Sequence, residues 1–230
     1  MDRTTDRIVM IHGTNVVIPI MDRLVRDIDA RYDILHMLNE PLLAELLDTG
    51  VITPEIRWRF AQMVIEATRA NPKLILVTGS SFSPCVDSAR TMVTVPVIKV
   101  DERMAEEAVH AGRRLAIVAT EQTTIGPTSL LLSQKADENK RDLELRTIYC
   151  EGAHRFLREG KPEEHDRIVL EKIRSENLED IDAIVLAQVS VARVLSQVEK
   201  LTGKKVFSSP STVVSVLRDL MTGPEASEVG

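Results

Sequence analysis

The stretch Leu74–Pro84, LILVTGSSFSP, passes abruptly from four aliphatics and a threonine into Gly79, Ser80, Ser81 and Ser83. The apolar run reads as a buried strand, and Pro84 suits the first turn of a helix. A strand-to-helix junction of this kind exposes backbone N–H groups beside hydroxyls, and such groups attract negative charge. Similar small polar residues follow other apolar runs: Thr14 and Asn15 after His12 and Gly13, then Thr120, Thr123 and Thr124, then Gln188 and Ser190, and finally Ser208 and Ser209. Gathered in one cleft, these neutral donors would grip a small carboxylate-bearing ligand. Each could equally cap a helix, the commonest use of such residues at helix starts.

Few titratable groups stand out. His12 ends an apolar run and is a candidate base, with hydrogen-bonded structure as its other reading. Cys85, just inside a helix after Pro84, reads as buried and inert, whereas Cys150 follows a strand and stays open as a proton carrier. His165, within KPEEHDRIV, reads as a surface residue, and Glu40 and Glu102 read as helix-start or surface charges. LTGKKV lacks the upstream glycine and the Lys-Ser/Thr ending of a phosphate loop. The five histidines show no metal-ligand spacing, and two cysteines are too few for a disulfide framework. No metal and no organic cofactor is expected.

The partners are bounded by composition. A net charge of −6 and 3% aromatic residues argue against nucleic acid, which calls for a basic footprint and stacking rings. No apolar stretch approaches the roughly 20 residues of a membrane helix. The start, MDRTTDRIVMIHG, lacks a signal-peptide pattern, so a cytoplasmic protein is expected.

The elements that must position these residues alternate along the chain. Strands are expected at 7–12, 33–38, 74–78, 95–100, 115–119, 143–149, 183–187 and 205–207, with helices including 54–70, 102–111, 127–139, 163–176, 191–201 and 212–221. Strand–helix alternation with continuous apolar strands indicates an α/β fold whose mainly parallel sheets are covered on both faces. The polar ending GPEASEVG is expected to fray. Internal repetition adds more. RIVMIHGTN at Arg7 is echoed by RLAIVATEQ at Arg114, LILVTGSS at Leu74 by AIVLAQVS at Ala183, and VPVIKVDE at Val95 by KKVFSSPS at Lys204. The three offsets, 107, 109 and 109 residues, are nearly one value. The repeat predicts two pseudosymmetric lobes, 1–100 plus 209–230 and 101–208, with a cleft between them where the strand ends face each other.

The repeated halves, together with VTGSSFSP, VPVIKVDERMAEEAV, VATEQTTIGPTSLLL and DAIVLAQVSVARV…VFSSPSTVV, resemble the aspartate/glutamate/hydantoin racemase superfamily from about Arg7 to Met221. The resemblance implies two α/β lobes, a homo-oligomer, and a site between the lobes. In its racemases each lobe supplies one cysteine, so that an acid and a base meet opposite faces of the inverted carbon. Carried onto this chain, the first thiol position falls on Gly79, or on Ser80 with a shift of one residue, and the second on Gln188. Neither glycine nor an amide can act as a base near neutral pH, so the two-thiol mechanism does not transfer. Gly79-Ser80-Ser81 is similar to the Gly-Thr-Ser junction with which arylmalonate decarboxylases of the same superfamily hold a developing dianion. Those enzymes keep the second cysteine as proton donor, where this chain has Gln188.

The expected function is therefore an isomerase or lyase acting beside the carboxylate of a small organic or amino acid. His12, Cys150 or a bound water would carry the proton, and Gln188 would orient the ligand. A binding protein that kept the two-lobed clamp without catalysis is the alternative.

Overall fold

A computed structural model of the 230-residue chain describes residues 6–222. The tail expected to fray, and the outer ends of the predicted first lobe, lie outside the described residues. Within them, eight strands run in chain order: β1 Arg7–His12, β2 Asp33–Leu38, β3 Leu74–Val77, β4 Val97–Lys99, β5 Arg114–Ala119, β6 Glu144–Tyr149, β7 Ala183–Leu186 and β8 Lys205–Ser208. The helices are α1 Ile18–Ile28, α2 Glu40–Thr49, α3 Pro54–Thr68, α4 Ser83–Ala89, α5 Glu102–Ala111, α6 Gln122–Glu138, α7 Ala153–Arg158, α8 Pro162–Arg174, α9 Leu195–Thr202 and α10 Ser209–Thr222.

Two four-stranded sheets form, in the orders β2-β1-β3-β4 and β6-β5-β7-β8, and every pairing is parallel. The register repeats as well as the order. Arg7 lies beside Asp33 and Ile8 beside Leu74 in the first sheet, as Arg114 lies beside Glu144 and Leu115 beside Ala183 in the second. Alternate side chains of each strand enter opposite faces. Val9, Ile11, Ile75 and Val77 pack on Leu46, Ile56 and Phe60 of α2 and α3, whereas Ile8, Met10, Leu74 and Leu76 meet Met21 and Val25 of α1. α10 follows β8 yet sends Val213, Leu217 and Met221 into that second group, so the chain returns to the first sheet. In the second sheet, α5 and α6 cover one face and α8 and α9 the other.

Some boundaries differ from those read in the sequence. β3 stops at Val77 and leaves Thr78 to the following loop. α6 begins at Gln122 and runs through Pro127, which had been expected to start it. A proline inside a helix removes the bond to the carbonyl four residues back, and near the N-terminus that loss is local. The stretch from Val191 begins as a 3-10 turn, Val189–Val194, before α9 proper.

Ile117 is fully buried at the centre of the second sheet. Ile117→Ala should lower the unfolding free energy by about 2–5 kcal/mol in a urea titration, the range for deleting such a side chain in a packed core. A loss below about 1 kcal/mol would contradict this packing.

Candidate active site

With both faces of each sheet apolar, polar groups collect where the strands end. Loops after β1, β3, β5 and β7 converge on one cavity, together with Leu43 of α2 and His154 of α7. About 60 Å³ is open to the centres of water-sized molecules. The first-sheet wall includes Gly13, Thr14, Thr78, Gly79, Ser80, Ser81 and Phe82; the second-sheet wall includes Glu121, Thr124, His154, Gln188 and Ser190.

The junction after β3 is a short 3-10 turn, Ser80–Phe82, that leads directly into α4. The Ser80 and Ser81 amides open this turn and have no acceptor within it. Ser81 Oγ meets Thr123 Oγ1 of α6 at 3.2 Å, tying the two halves together, while Ser80 Oγ is buried without a hydrogen bond. Behind them Ser83 Oγ donates to both carboxylate oxygens of Asp101 at 2.9 and 3.1 Å. Burial raises the Asp101 carboxyl, with the Ser83 and Ser80 hydroxyls pulling it down.

Phe82 explains the glycines. Its ring stacks on Phe60 with centroids 5.5 Å apart. A Cβ on Gly13 would lie 2.9 Å from Phe82 Cε2, and one on Gly79 would lie 3.3 Å from Cδ2. A Cβ at position 79 would press on this ring, which would have to give by a few tenths of an ångström.

Gln188 faces the junction from the second sheet. Its Oε1 accepts from the Thr120 amide at 2.7 Å and from Thr120 Oγ1 at 3.0 Å. A backbone N–H can only donate, which fixes the amide orientation and leaves Nε2 as a donor without a partner among the described residues. Thr120 and Thr123 thus act one step behind the wall: Thr120 holds Gln188 and Thr123 holds Ser81. Asn15 stands apart from the cavity, its exposed amide 3.4 Å from Glu40 Oε1, and Thr14 caps its own short turn through Val16 N. Ser208 and Ser209 do not line the cavity; the Ser208 carbonyl instead accepts from Ser211 and Thr212 at the start of α10.

His12 is also set back from the cavity. It is 1% exposed, with Nδ1 2.8 Å from Thr78 Oγ1 and Nε2 2.9 Å from His36 Nδ1. Burial, then the nearby His36, lowers it to about 4.

Two titratable wall residues escaped the sequence reading. Glu121 Oε1 and His154 Nε2 lie 3.4 Å apart, and His154 Nδ1 is buried without a partner. Burial raises the Glu121 carboxyl, opposed by Arg158. Burial, then Arg158 and His165, lowers His154 to about 4. Glu121 starts α6 beside the polar VATEQTT loop, and its position there was the available signal; His154 comes from the distant α7 and carried none. His165 corrects the sequence reading, being fully buried rather than on the surface. The acids around it in sequence conceal an inward face of α8, where its Nδ1 meets Asp166 at 2.8 Å. Among the described residues, no group of three or more His, Cys, Asp or Glu side chains is arranged to hold a metal ion, and no helix is long and apolar enough to cross a membrane.

Neither cysteine is on the cavity wall. Burial pushes the Cys85 thiol up to about 11 and the Cys150 thiol up to about 12. Iodoacetamide at pH 8 should therefore leave both unlabelled in the native protein and label both after unfolding, read by intact mass; rapid native labelling would contradict this burial.

A model of the family described as Asp/Glu/Hydantoin racemase matches residues 9–217. Among curated protein sequences none matches significantly. Solved structures with the same architecture include glutamate racemase from Francisella tularensis in complex with D-glutamate, with 16% identity over 94% of this chain and 81% of that one and a TM-score of 0.71. Allantoin racemase from Klebsiella pneumoniae shares 16% identity over 94% of this chain and 87% of that one, with a TM-score of 0.62. Aspartate racemase from Picrophilus torridus shares 10% identity over 94% of both chains, with a TM-score of 0.63. At these identities the structural likeness is one of fold. The family match, running from the first strand into the last helix, is what assigns membership: this chain belongs to the Asp/Glu/hydantoin racemase family.

Proposed function

We propose that the protein is an isomerase or lyase acting beside the carboxylate of a small organic or amino acid, without a two-thiol mechanism. The observation that carries this reading is the set of donors left open on one cavity wall: the Ser80 and Ser81 amides and Gln188 Nε2. Donors preorganised around an oxyanion stabilise an enolate-like transition state by several kcal/mol. The junction Gly79–Ser81 holds the carboxylate, and Gln188 donates to a carboxylate or carbonyl oxygen. Glu121 and His154 are the proton carriers on the second-sheet side, paired across 3.4 Å on the cavity wall. The division into lobes at Asp101 and Ser209 belongs to the same reading, supported by the covering of separate sheets by α5 and α10. So does a cytoplasmic homo-oligomer without cofactor, for which exposed Leu35 and Leu38 on the edge strand β2 offer a surface. The missing thiols favour one rival, a carboxylate-binding protein without catalysis.

Incubation with a panel of small carboxylic acids in heavy water decides between them. Deuterium should appear on the carbon beside the carboxylate of at least one acid. Glu121→Gln should slow this exchange by at least about tenfold, and Gln188→Ala should weaken binding of that acid by about 1–2 kcal/mol, the order of one buried hydrogen bond. Binding without exchange for every acid would favour the rival.

A further inference from the structure

A chain of hydrogen bonds runs through the first sheet from the surface to the cavity wall. Asp22 Oδ1 lies 3.4 Å from His36 Nε2, His36 Nδ1 lies 2.9 Å from His12 Nε2, and His12 Nδ1 lies 2.8 Å from Thr78 Oγ1. The two imidazole centroids are 5.1 Å apart. The outer end is open to solvent, with the His36 and Asp22 side chains 25% and 31% exposed, while the inner end, Thr78, is buried and part of the cavity wall. We propose that Asp22, His36, His12 and Thr78 form a proton relay between solvent and a carboxylate-bearing substrate in the cavity, a role that rests on the function proposed above.

The chemistry of each group sets the polarity of the chain. Asp22 accepts from Arg26 on its other oxygen, which holds it below the usual carboxylate range and makes it an acceptor only. His36 then carries its proton on Nε2, and as a neutral ring accepts at Nδ1. His12 must donate from Nε2 and accept at Nδ1, so the Thr78 hydroxyl donates to His12. Every bond points outward, toward Asp22.

Thr78 Oγ1 has a second acceptor, the Ile11 carbonyl at 3.2 Å, and this allows the opposite polarity. When the substrate gives up a proton to Thr78 Oγ, the hydroxyl passes its own to His12 Nδ1. The bond from His12 Nε2 to its proton breaks as that proton joins His36 Nδ1. The substrate is left as a carbanion or enolate, and His36 becomes an imidazolium paired with Asp22. His12 ends neutral with its proton on Nδ1, donating to Thr78, which now donates to Ile11. His36 returns a proton to water, the Thr78 hydroxyl exchanges its proton for one from solvent, and the reverse sequence delivers that one to the substrate.

Among the described residues, the second sheet has no such chain. The repeat sets Ala119 and Ala187 where the first sheet has His12 and Thr78. A pair of histidines serving only to stabilise a sheet end would not need a solvent-exposed terminus and a hydroxyl with two acceptors.

Ring nitrogen spectra of ¹⁵N-histidine-labelled protein at pH 8 test the polarity without any substrate. Both His12 and His36 should carry the proton on Nε2; a proton on Nδ1 of His12 would overturn the relay. Deuterium wash-in then tests its use. His36→Phe, at a part-exposed position, should slow exchange at low buffer by at least about tenfold, with added imidazole restoring the rate. An unchanged rate, or a loss that imidazole leaves in place, would also overturn the relay. If the unaltered protein exchanges no acid, the catalytic reading falls, and the ring spectra still decide whether the hydrogen-bonded chain has the proposed polarity.

Discussion

Both faces of each parallel sheet are sealed by apolar layers, so polar groups can stay hydrated or paired only at the strand ends. That constraint governs the rest of the molecule. Parallel strands all finish on one side, and each finishes where a helix or a 3-10 turn must begin with unpaired amides. Two sheets with the same order and register therefore bring their polar strand ends to a shared cavity, with hydroxyls, amides and Gln188 at the junctions. The site is a consequence of closing two cores.

Repetition of the scaffold does not extend to its chemistry. On the first sheet, Phe82 lies against the position where a side chain on Gly79 would begin, and the titratable groups stand behind the wall. On the second, Gln188 is locked by Thr120, and Glu121 and His154 stand in the wall itself. A symmetric fold suits reactions that need groups on two faces of a carbon, and here those groups differ in kind. Burial of Cys85 and Cys150 within the cores sets thiols apart from this arrangement.

Much of this was legible in the sequence because it follows from local pattern. Aliphatic runs such as Leu74–Val77 identify strands, and the echo of RIVMIHGTN in RLAIVATEQ marks the duplication. The small polar residues after these runs pointed to Ser80, Ser81, Thr124 and Gln188, which line the cavity because strand ends have few other places to face. What escaped depended on tertiary placement. Glu121 meets His154 only because α7 folds back over the second sheet, and His36 meets His12 only because β2 lies beside β1 in register. His165 was misread because its charged neighbours cover the outer face of α8 while it points inward. Pro127 misled the placement of α6 because proline is tolerated early in a helix as well as at its first position.

The central claim is that the strand-end donors of the two sheets form a single carboxylate site. A crystal structure of the protein soaked with malonate tests it most directly. The account predicts one carboxylate of malonate within hydrogen-bond reach of the Ser80 and Ser81 amides, and an oxygen of the same molecule accepting from Gln188 Nε2. Malonate bound elsewhere, with these donors facing only water, would contradict it.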